Sequence, residues 1–461
     1  MARADPVSER ERPPELLRAL GLWDSVSLIL GIMIGSGIFL MAGAIALQLD
    51  SLPAVLAVWA FGGLLSLSGA VALSELGAAM PSAGGLYVYL TRAYGPGVGF
   101  VYGWSAMALI HAGGLATLAA AIGLYLGPIL RLSPGETKGL QLGAIALFAV
   151  VNSLGVVVGK WVQNALTALK VLGLAVMTAA LTSSGSAASL LSHWSRPPGE
   201  LSWTAFGLAL VAVLWAYDGW HFVSFAAGEV KNPSKTIPLS LLVGTAITCG
   251  IYLVVNLAYY AVLSPEAMRG SDRVAAAAIG TSWGPGAALA LSLLISVSIL
   301  GAMNGILLGA SRVILAMARD GLFFRGFGRV SPRFHTPVVA TVAQAAWAAA
   351  FTLVGTFQQL FTSYVFTAWI FYGLAVAGVI VLRRREPGLE RPYRCPGYPA
   401  TPVFFVLATA GIVVSTFVAS FWQALLGVGL ILAGVPLYFA FRALDRRKAG
   451  GANGSGGEDA G

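Results

Sequence analysis

Charge is scarce in this chain. Asp, Glu, Lys and Arg make up 10% of its 461 residues, against about 25% in a soluble domain. Cysteine is scarcer still: Cys249 sits in an apolar run and Cys395 in a basic segment, and neither suggests a disulfide. The sequence also lacks a cluster of metal ligands, a nucleophile with its base and a phosphate-binding loop, so nothing in it supports an enzyme or a bound cofactor. No polar stretch is long enough to form a soluble domain. The net charge of +9 therefore has no nucleic-acid-binding module to belong to, and no nucleic-acid partner is expected. The first 23 residues mix Arg3, Arg10, Arg12 and Arg18 with acids around no apolar centre, unlike a cleavable signal peptide.

What the chain has in abundance is hydrocarbon: 57% of its residues are hydrophobic and its mean hydropathy is +0.81. Runs of about 20 apolar residues match the thickness of a bilayer core. Twelve occur, at 24–48, 53–80, 98–130, 140–158, 161–181, 205–227, 239–262, 287–318, 338–354, 360–382, 403–419 and 421–441. A tight turn alone separates the last two, which leaves counts of eleven or thirteen open. The reading is an all-α integral membrane protein with the lipid bilayer as its main surroundings. Segments on one side of such a bundle hold 21 of the 28 lysines and arginines, those on the other hold five, and Lys170 and Arg312 fall inside spans. That asymmetry predicts a multi-pass protein of the inner membrane with both termini in the cytoplasm.

The first run contains Gly31-Ile32-Met33-Ile34-Gly35-Ser36-Gly37-Ile38-Phe39. Gly costs roughly 1 kcal/mol relative to Ala inside a helix, so a Gly-Ser-Gly triplet predicts an opened helix. Opening exposes backbone groups that lipid cannot satisfy. A second interruption stands at Tyr217-Asp218-Gly219 in the sixth run. The two runs start 181 residues apart, and Ser36 and Asp218 are 182 apart. Glycine in a membrane helix often only permits close packing, but matched breaks in two five-span halves point to an inverted-repeat transporter. The division predicted is a cytoplasmic segment 1–23, a first repeat 24–182, an outer loop 183–204 and a second repeat 205–382. A cytoplasmic loop 383–402, two further spans within 403–441 and a disordered cytoplasmic tail 442–461 follow. Two connectors, Pro81 to Tyr89 and Ser264 to Ser282, read equally well as short helices or as loops.

Broken helices offer opposite partial charges. A half-helix starting near Ser36 presents free N–H groups to a carboxylate. The end of the half-helix at Trp215 and Ala216 presents carbonyls to an ammonium. A site with one end of each kind suits a zwitterion, and the natural candidate is an α-amino acid.

The glycine signature and its Gly35 to Phe39 ending resemble the first helix of the APC superfamily of amino acid permeases. Trp215-Ala216-Tyr217-Asp218-Gly219-Trp220, continuing from Gly228 to Pro238, resembles the L-type amino acid transporter branch. Asn256 to Tyr260, Asn304 to Gly321 and Arg391 to Pro399 add to the likeness, which covers nearly the whole chain after Leu20. The resemblance implies twelve spans, five-plus-five inverted repeats with broken helices one and six, and alternating access. It implies that a substrate carboxylate meets N–H groups near Met33, Ser36 and Gly37, and an ammonium meets carbonyls of Trp215 and Ala216 beside Asp218. It further places Trp215 as an aromatic gate and Trp369 as a pocket-lining aromatic. Eukaryotic light chains of the branch carry a cysteine between spans three and four for a heavy chain. The loop Arg131 to Lys138 has none here, so a prokaryotic member without a disulfide-linked partner is expected.

Asp218, an ionisable group at mid-membrane, is a functional candidate by default. It could favour an ammonium or a cationic side chain, or cap the half-helix starting at Gly219, and it does not settle the substrate. Lys170 matches a family lysine standing where sodium sits in ion-coupled relatives. It could brace the broken first helix, or bind and release a proton. His111 and His221 read as packed histidines, Arg312 as reaching the inner surface, and Glu75 and Glu229 as caps or gate partners. The function expected is sodium-independent exchange of neutral, or neutral and cationic, L-amino acids. The alternatives are proton-coupled uptake of amino acids or polyamines, and a transporter-like sensor or channel.

Overall fold

A chain that lipid cannot hydrogen-bond must satisfy its backbone within each segment, so apolar runs of this length fold as helices. The computed structural model describes residues 15–196, 202–271, 273–354 and 357–454. Among the described residues the regular structure is helical, apart from an isolated parallel bridge between Leu20 and Val230. The first run divides into α1 (Leu22–Met33) and α2 (Gly37–Gln48), and α3 (Leu52–Ala79) and the short α4 (Leu86–Tyr94) follow. The third run comprises α5 (Pro96–Ser105) and α6 (His111–Leu130), then come α7 (Pro134–Ser153), α8 (Val156–Ser184) and the loop helix α9 (Ala187–Trp194). The second half holds α10 (Trp203–Ala216), α11 (Pro233–Val262), α12 (Pro265–Arg269), α13 (Val274–Trp283) and α14 (Pro285–Arg319). It continues with α15 (Val338–Val354) and α16 (Phe357–Arg385), and α17 (Ala400–Ala419) and α18 (Phe421–Gly454) complete the bundle.

Each apolar run thus contains a helix, and nine helical segments among the described residues are long and apolar enough to cross a membrane. Of the rest, α10 and α15 have only 14 and 17 residues, and α7 carries Glu136 and Lys138 near its start. The two connectors are helical. α4 buries Leu86, Tyr87, Tyr89 and Leu90 against the bundle, and α12 and α13 occupy the other connector.

Three local features depart from the sequence reading. The sixth run does not resume as a regular α-helix after its break. Gly219, at φ +118°, turns the chain, and short 3-10 turns at Phe222–Ser224 and Ala227–Glu229 lead to α11. The last helix continues to Gly454, through Ala, Arg and Lys residues that favour helix, while 455–461 lie outside the described residues, as do residues 1–14 of the first segment. The third run, read as continuous, contains a π turn at Ala106–Ile110. Such a turn disturbs the regular i→i−4 ladder. Two carbonyls there accept from α15: Met107 from Gln344 Nε2 at 3.2 Å and Ala108 from Trp347 Nε1 at 3.0 Å.

Ionic ties hold the ends of the helices. Glu75, buried near the end of α3, accepts two hydrogen bonds from Arg383 at 2.9 and 2.6 Å, lies 3.2 Å from Arg391, and accepts the backbone N–H of Cys395 at 2.7 Å. It thereby fixes the segment before α17. Arg312 does not reach the surface as expected. It is 1% exposed and forms a two-pronged pair with Glu229, at 2.9 and 2.8 Å, because Glu229 would otherwise be a buried unpaired charge. The backbone carbonyl of Glu229 accepts the N–H groups of Ala19 and Leu20, both at 2.9 Å. Asp24, on α1, accepts from Lys160 at 3.1 Å and Asn164 at 2.7 Å on α8.

The π turn gives a test of how far side chains sustain the backbone here. Trp347→Phe removes a donor worth about 0.5–1.5 kcal/mol and should lower the melting temperature of the protein in detergent. Adding Gln344→Leu should lower it further, and unchanged melting of the double variant would contradict this account.

Candidate functional site

The first break follows from its glycines. α1 closes at Met33, Ile34 adopts φ −79° and ψ 68°, and α2 starts at Gly37. The carbonyls at the end of α1 would lack partners in the membrane interior. Lys170, on α8 and 1% exposed, supplies most of what they need. Its ammonium donates to Gly31 O at 2.7 Å, Ile34 O at 2.9 Å and Ser298 O at 2.8 Å. An ammonium has three donors, and all three are used. Ser298 on α14 adds a hydroxyl bond to Ile34 O at 2.8 Å.

The second break lies against the first. The hydroxyl of Tyr252, on α11, sits 2.5 Å from Met33 O and 2.9 Å from Ala216 O, so one buried side chain spans the ends of α1 and α10. A β-carbon on Gly37 would lie 2.6 Å from Ala216 Cα, so only glycine lets the start of α2 touch the end of α10. Gly219 is required on the other side: its φ of +118° favours glycine, and a β-carbon there would meet Ile32 Cγ2 at 2.6 Å.

The carbonyl ends are thus served, but the N–H end is not. Among the described residues, the backbone N–H groups of Ser36, Gly37 and Ile38 have no backbone acceptor, and the Ser36 hydroxyl is buried without a partner. These groups face a chamber of about 30 Å³ lined by Met33, Gly35, Ser36, Gly37, Trp215, Asp218, Ile306 and Tyr364, among others. That is room for a water molecule or two. The space as it stands is too small for an amino acid, and admitting one requires these helices to separate.

Asp218 supplies the opposite sign. It is 9% exposed, its Oδ2 accepts from the Tyr364 hydroxyl of α16, and the Tyr372 hydroxyl and the Gly219 N–H also approach its carboxylate. His221 Nδ1 lies 4.0 Å from its Oδ1. The arrangement can hold an anion at the start of α2 and a cation at Asp218 within one enclosure.

Most of the residues read from the sequence gather here. Ser36, Gly37, Trp215 and Asp218 line the chamber, and Ala216 abuts Gly37. Met33 also lines it, but as the closing residue of α1, and it offers a carbonyl already engaged by Tyr252 and by the Gly35 N–H at 2.8 Å. The Trp215 carbonyl accepts the Asp218 N–H at 3.1 Å; a carbonyl oxygen retains a second lone pair for another donor. Lys170 stands behind the break rather than in the chamber. Trp369 is not among the chamber residues, since it stacks on Phe405 with ring centres 5.7 Å apart. The α16 residue that faces the chamber is Tyr364. His111 packs against Phe222 and Phe225, and His221 against Phe222 and Tyr372. Sequence reasoning missed Tyr252, Ser298 and Tyr364. The available signal was a hydroxyl within an apolar run, which in a membrane needs a partner, but many such residues merely bond their own helix.

The amino acid permease family matches residues 20–440 of the chain. The chain is similar to the serine/threonine exchanger SteT of Bacillus subtilis (strain 168), with 32% identity over 442 residues that cover 94% of this chain and 98% of that protein. It is also similar to the human b(0,+)-type amino acid transporter 1, with 30% identity covering 94% of this chain and 90% of the relative. The human cystine/glutamate transporter is 28% identical, covering 96% of this chain and 90% of its own length. These relatives are transporters, not enzymes, and a match over nearly the whole length, with the broken-helix site inside it, carries one conclusion: the chain belongs to the amino acid permease family of the APC superfamily, whose members carry amino acids across membranes.

Proposed function

We propose that this protein exchanges neutral L-amino acids, and cationic ones beside them, across the inner membrane by sodium-independent alternating access. The observation that carries the reading is the pairing, around one small chamber, of the N–H groups of Ser36 to Ile38, which have no backbone acceptor, with the Asp218 carboxylate. In this reading the substrate carboxylate binds the start of α2. Its ammonium binds Asp218 and the remaining lone pairs of the Trp215 and Ala216 carbonyls. Trp215, on the chamber wall, serves as the gate, and Trp369 belongs to the aromatic packing outside the chamber, with Tyr372 as a ring neighbour at 5.8 Å.

The same reading takes the twelve helix-bearing runs as twelve spans in two five-span inverted repeats, with both termini on the arginine-rich cytoplasmic side. Lys170 braces the first break in place of an ion, a role supported by its three carbonyl acceptors. Exchange is favoured by the name of the bacterial relative, a serine/threonine exchanger. The transporter works without a disulfide-linked heavy chain: Cys249 and Cys395, its two cysteines, lie in α11 and in the segment before α17.

Proteoliposomes separate exchange from its main rival. Labelled amino acid should leave loaded vesicles only when unlabelled amino acid is present outside. Uptake into empty vesicles driven by a pH gradient, and abolished by Lys170→Ala, would instead establish proton coupling. Asp218→Asn keeps the shape of the side chain while removing its charge. It should weaken neutral and cationic substrates alike by at least tenfold, corresponding to one charge-assisted bond of about 1.5–3 kcal/mol to the ammonium they share. Undiminished binding of both classes would assign Asp218 a purely structural part.

A further inference from the structure

One basic surface outside the transport site lies where α14 ends and α15 begins. Arg319 stands in the last turn of α14, and Arg329 and Arg333 in the loop that follows. All three are exposed. Some arginines on this side are paired with acids, as Arg92 is with Glu386 and Arg383 with Glu75. Arg319, Arg329 and Arg333 make no ion pair among the described residues. The neighbouring Asp320 is engaged instead by the Tyr87 hydroxyl, at 2.7 Å.

Arg319 and Arg329 flank a groove of about 780 Å³ whose other wall is apolar, formed by Val330, Pro332, Phe334, Val338 and Val339. Glu15 lies at its edge, and the Glu15 carbonyl is 3.1 Å from His335 Nδ1. The guanidinium of Arg333 lies over the Phe334 ring at 5.1 Å, at the rim. The apolar wall does not stop at the groove. Val339 and Val342, 47% and 51% exposed, continue it along the outer face of α15, and Ala346 and Trp347 carry the exposed stripe on at helical spacing. A charged mouth at the membrane surface thus opens directly onto a hydrocarbon-facing helix.

We propose that this groove binds an anionic phospholipid, with the phosphate held by Arg319 and Arg329 and one acyl chain laid along Val339 and Val342. The unpaired positive charge fits an anionic headgroup, and the exposed apolar stripe continues from it along α15. A soluble anion would use only the arginines and leave the apolar wall without purpose. The proposal requires the chain to be membrane-embedded, but it is independent of which substrate the transporter carries.

The test is lipid binding by the full-length protein in detergent, read by native mass spectrometry with phosphatidylglycerol and phosphatidylcholine of matched chains. Phosphatidylglycerol should be retained in preference to phosphatidylcholine. Arg319→Gln with Arg329→Gln should weaken it by about fivefold per arginine, the effect of one basic residue near an anionic membrane surface. Val339→Trp, which keeps both arginines and fills the tail's path, should also weaken it, whereas Arg131→Gln, in the loop between α6 and α7, should not. Equal retention of the two lipids by the unaltered protein would overturn the proposal, and that comparison needs no variant to fold. Unchanged phosphatidylglycerol binding in the double-arginine variant would overturn it too, as would displacement by soluble glycerophosphoglycerol at equal concentration, which would reduce the site to an anion site without a tail.

Discussion

Two interrupted helices inside a membrane leave backbone groups that nothing in lipid can satisfy, and the rest of this structure is arranged around where those groups find partners. The assignment is uneven. At the carbonyl ends the protein supplies the donors itself: Lys170 and Ser298 for Gly31 and Ile34, and the one hydroxyl hydrogen of Tyr252 shared between Met33 and Ala216. At the N–H end, from Ser36 to Ile38, it supplies no backbone acceptor. A structure built only for stability would have capped both ends. Leaving one end open opposite a buried carboxylate is what a site for a two-ended ligand requires.

The elements behind the site serve that arrangement. Gly37 and Gly219 let the two breaks touch, so that the start of α2 and the end of α10 act as one enclosure. Behind α1, a buried network runs from Thr167, which bonds Ser27 O at 3.1 Å, to Gln163, then to Asn304 at 2.8 Å and Asn152 at 2.9 Å. Buried polar chains of this kind fix one packing because partial satisfaction is costly. Toward the arginine-rich ends, contacts are ionic: Asp24 with Lys160, and Glu229 with Arg312. The backbone clamp of Leu20 on Val230 joins the start of α1 to the segment after α10. These ties hold the ends of the two broken runs to the segments around them.

Much of this is legible in the residues, for identifiable reasons. Both breaks announce themselves, since glycine beside a polar residue in the middle of an apolar run weakens a helix just where lipid offers its backbone no partner. Arg312 defeats a reading by position because a charged residue near a helix end usually reaches water, and its burial depends on Glu229 from another segment. Tyr252 carries no periodic or compositional mark, although it joins the two breaks. The π turn at Ala106–Ile110 contains no glycine or proline, and only the Gln344 and Trp347 side chains from α15 reveal it. Trp369 is favoured over Tyr364 by the family resemblance alone, while the face of α16 turned toward the chamber is set by how that helix packs on its neighbours.

The central claim is that the chamber recognises both ends of an α-amino acid. It is tested most directly by thermal unfolding of the purified protein with intact L-amino acids, with the amines that lack their carboxylate, and with their N-acetyl derivatives. Stabilisation should appear with intact amino acids and disappear when either end is removed. Equal stabilisation by the simple amines, or by polyamines alone, would contradict it.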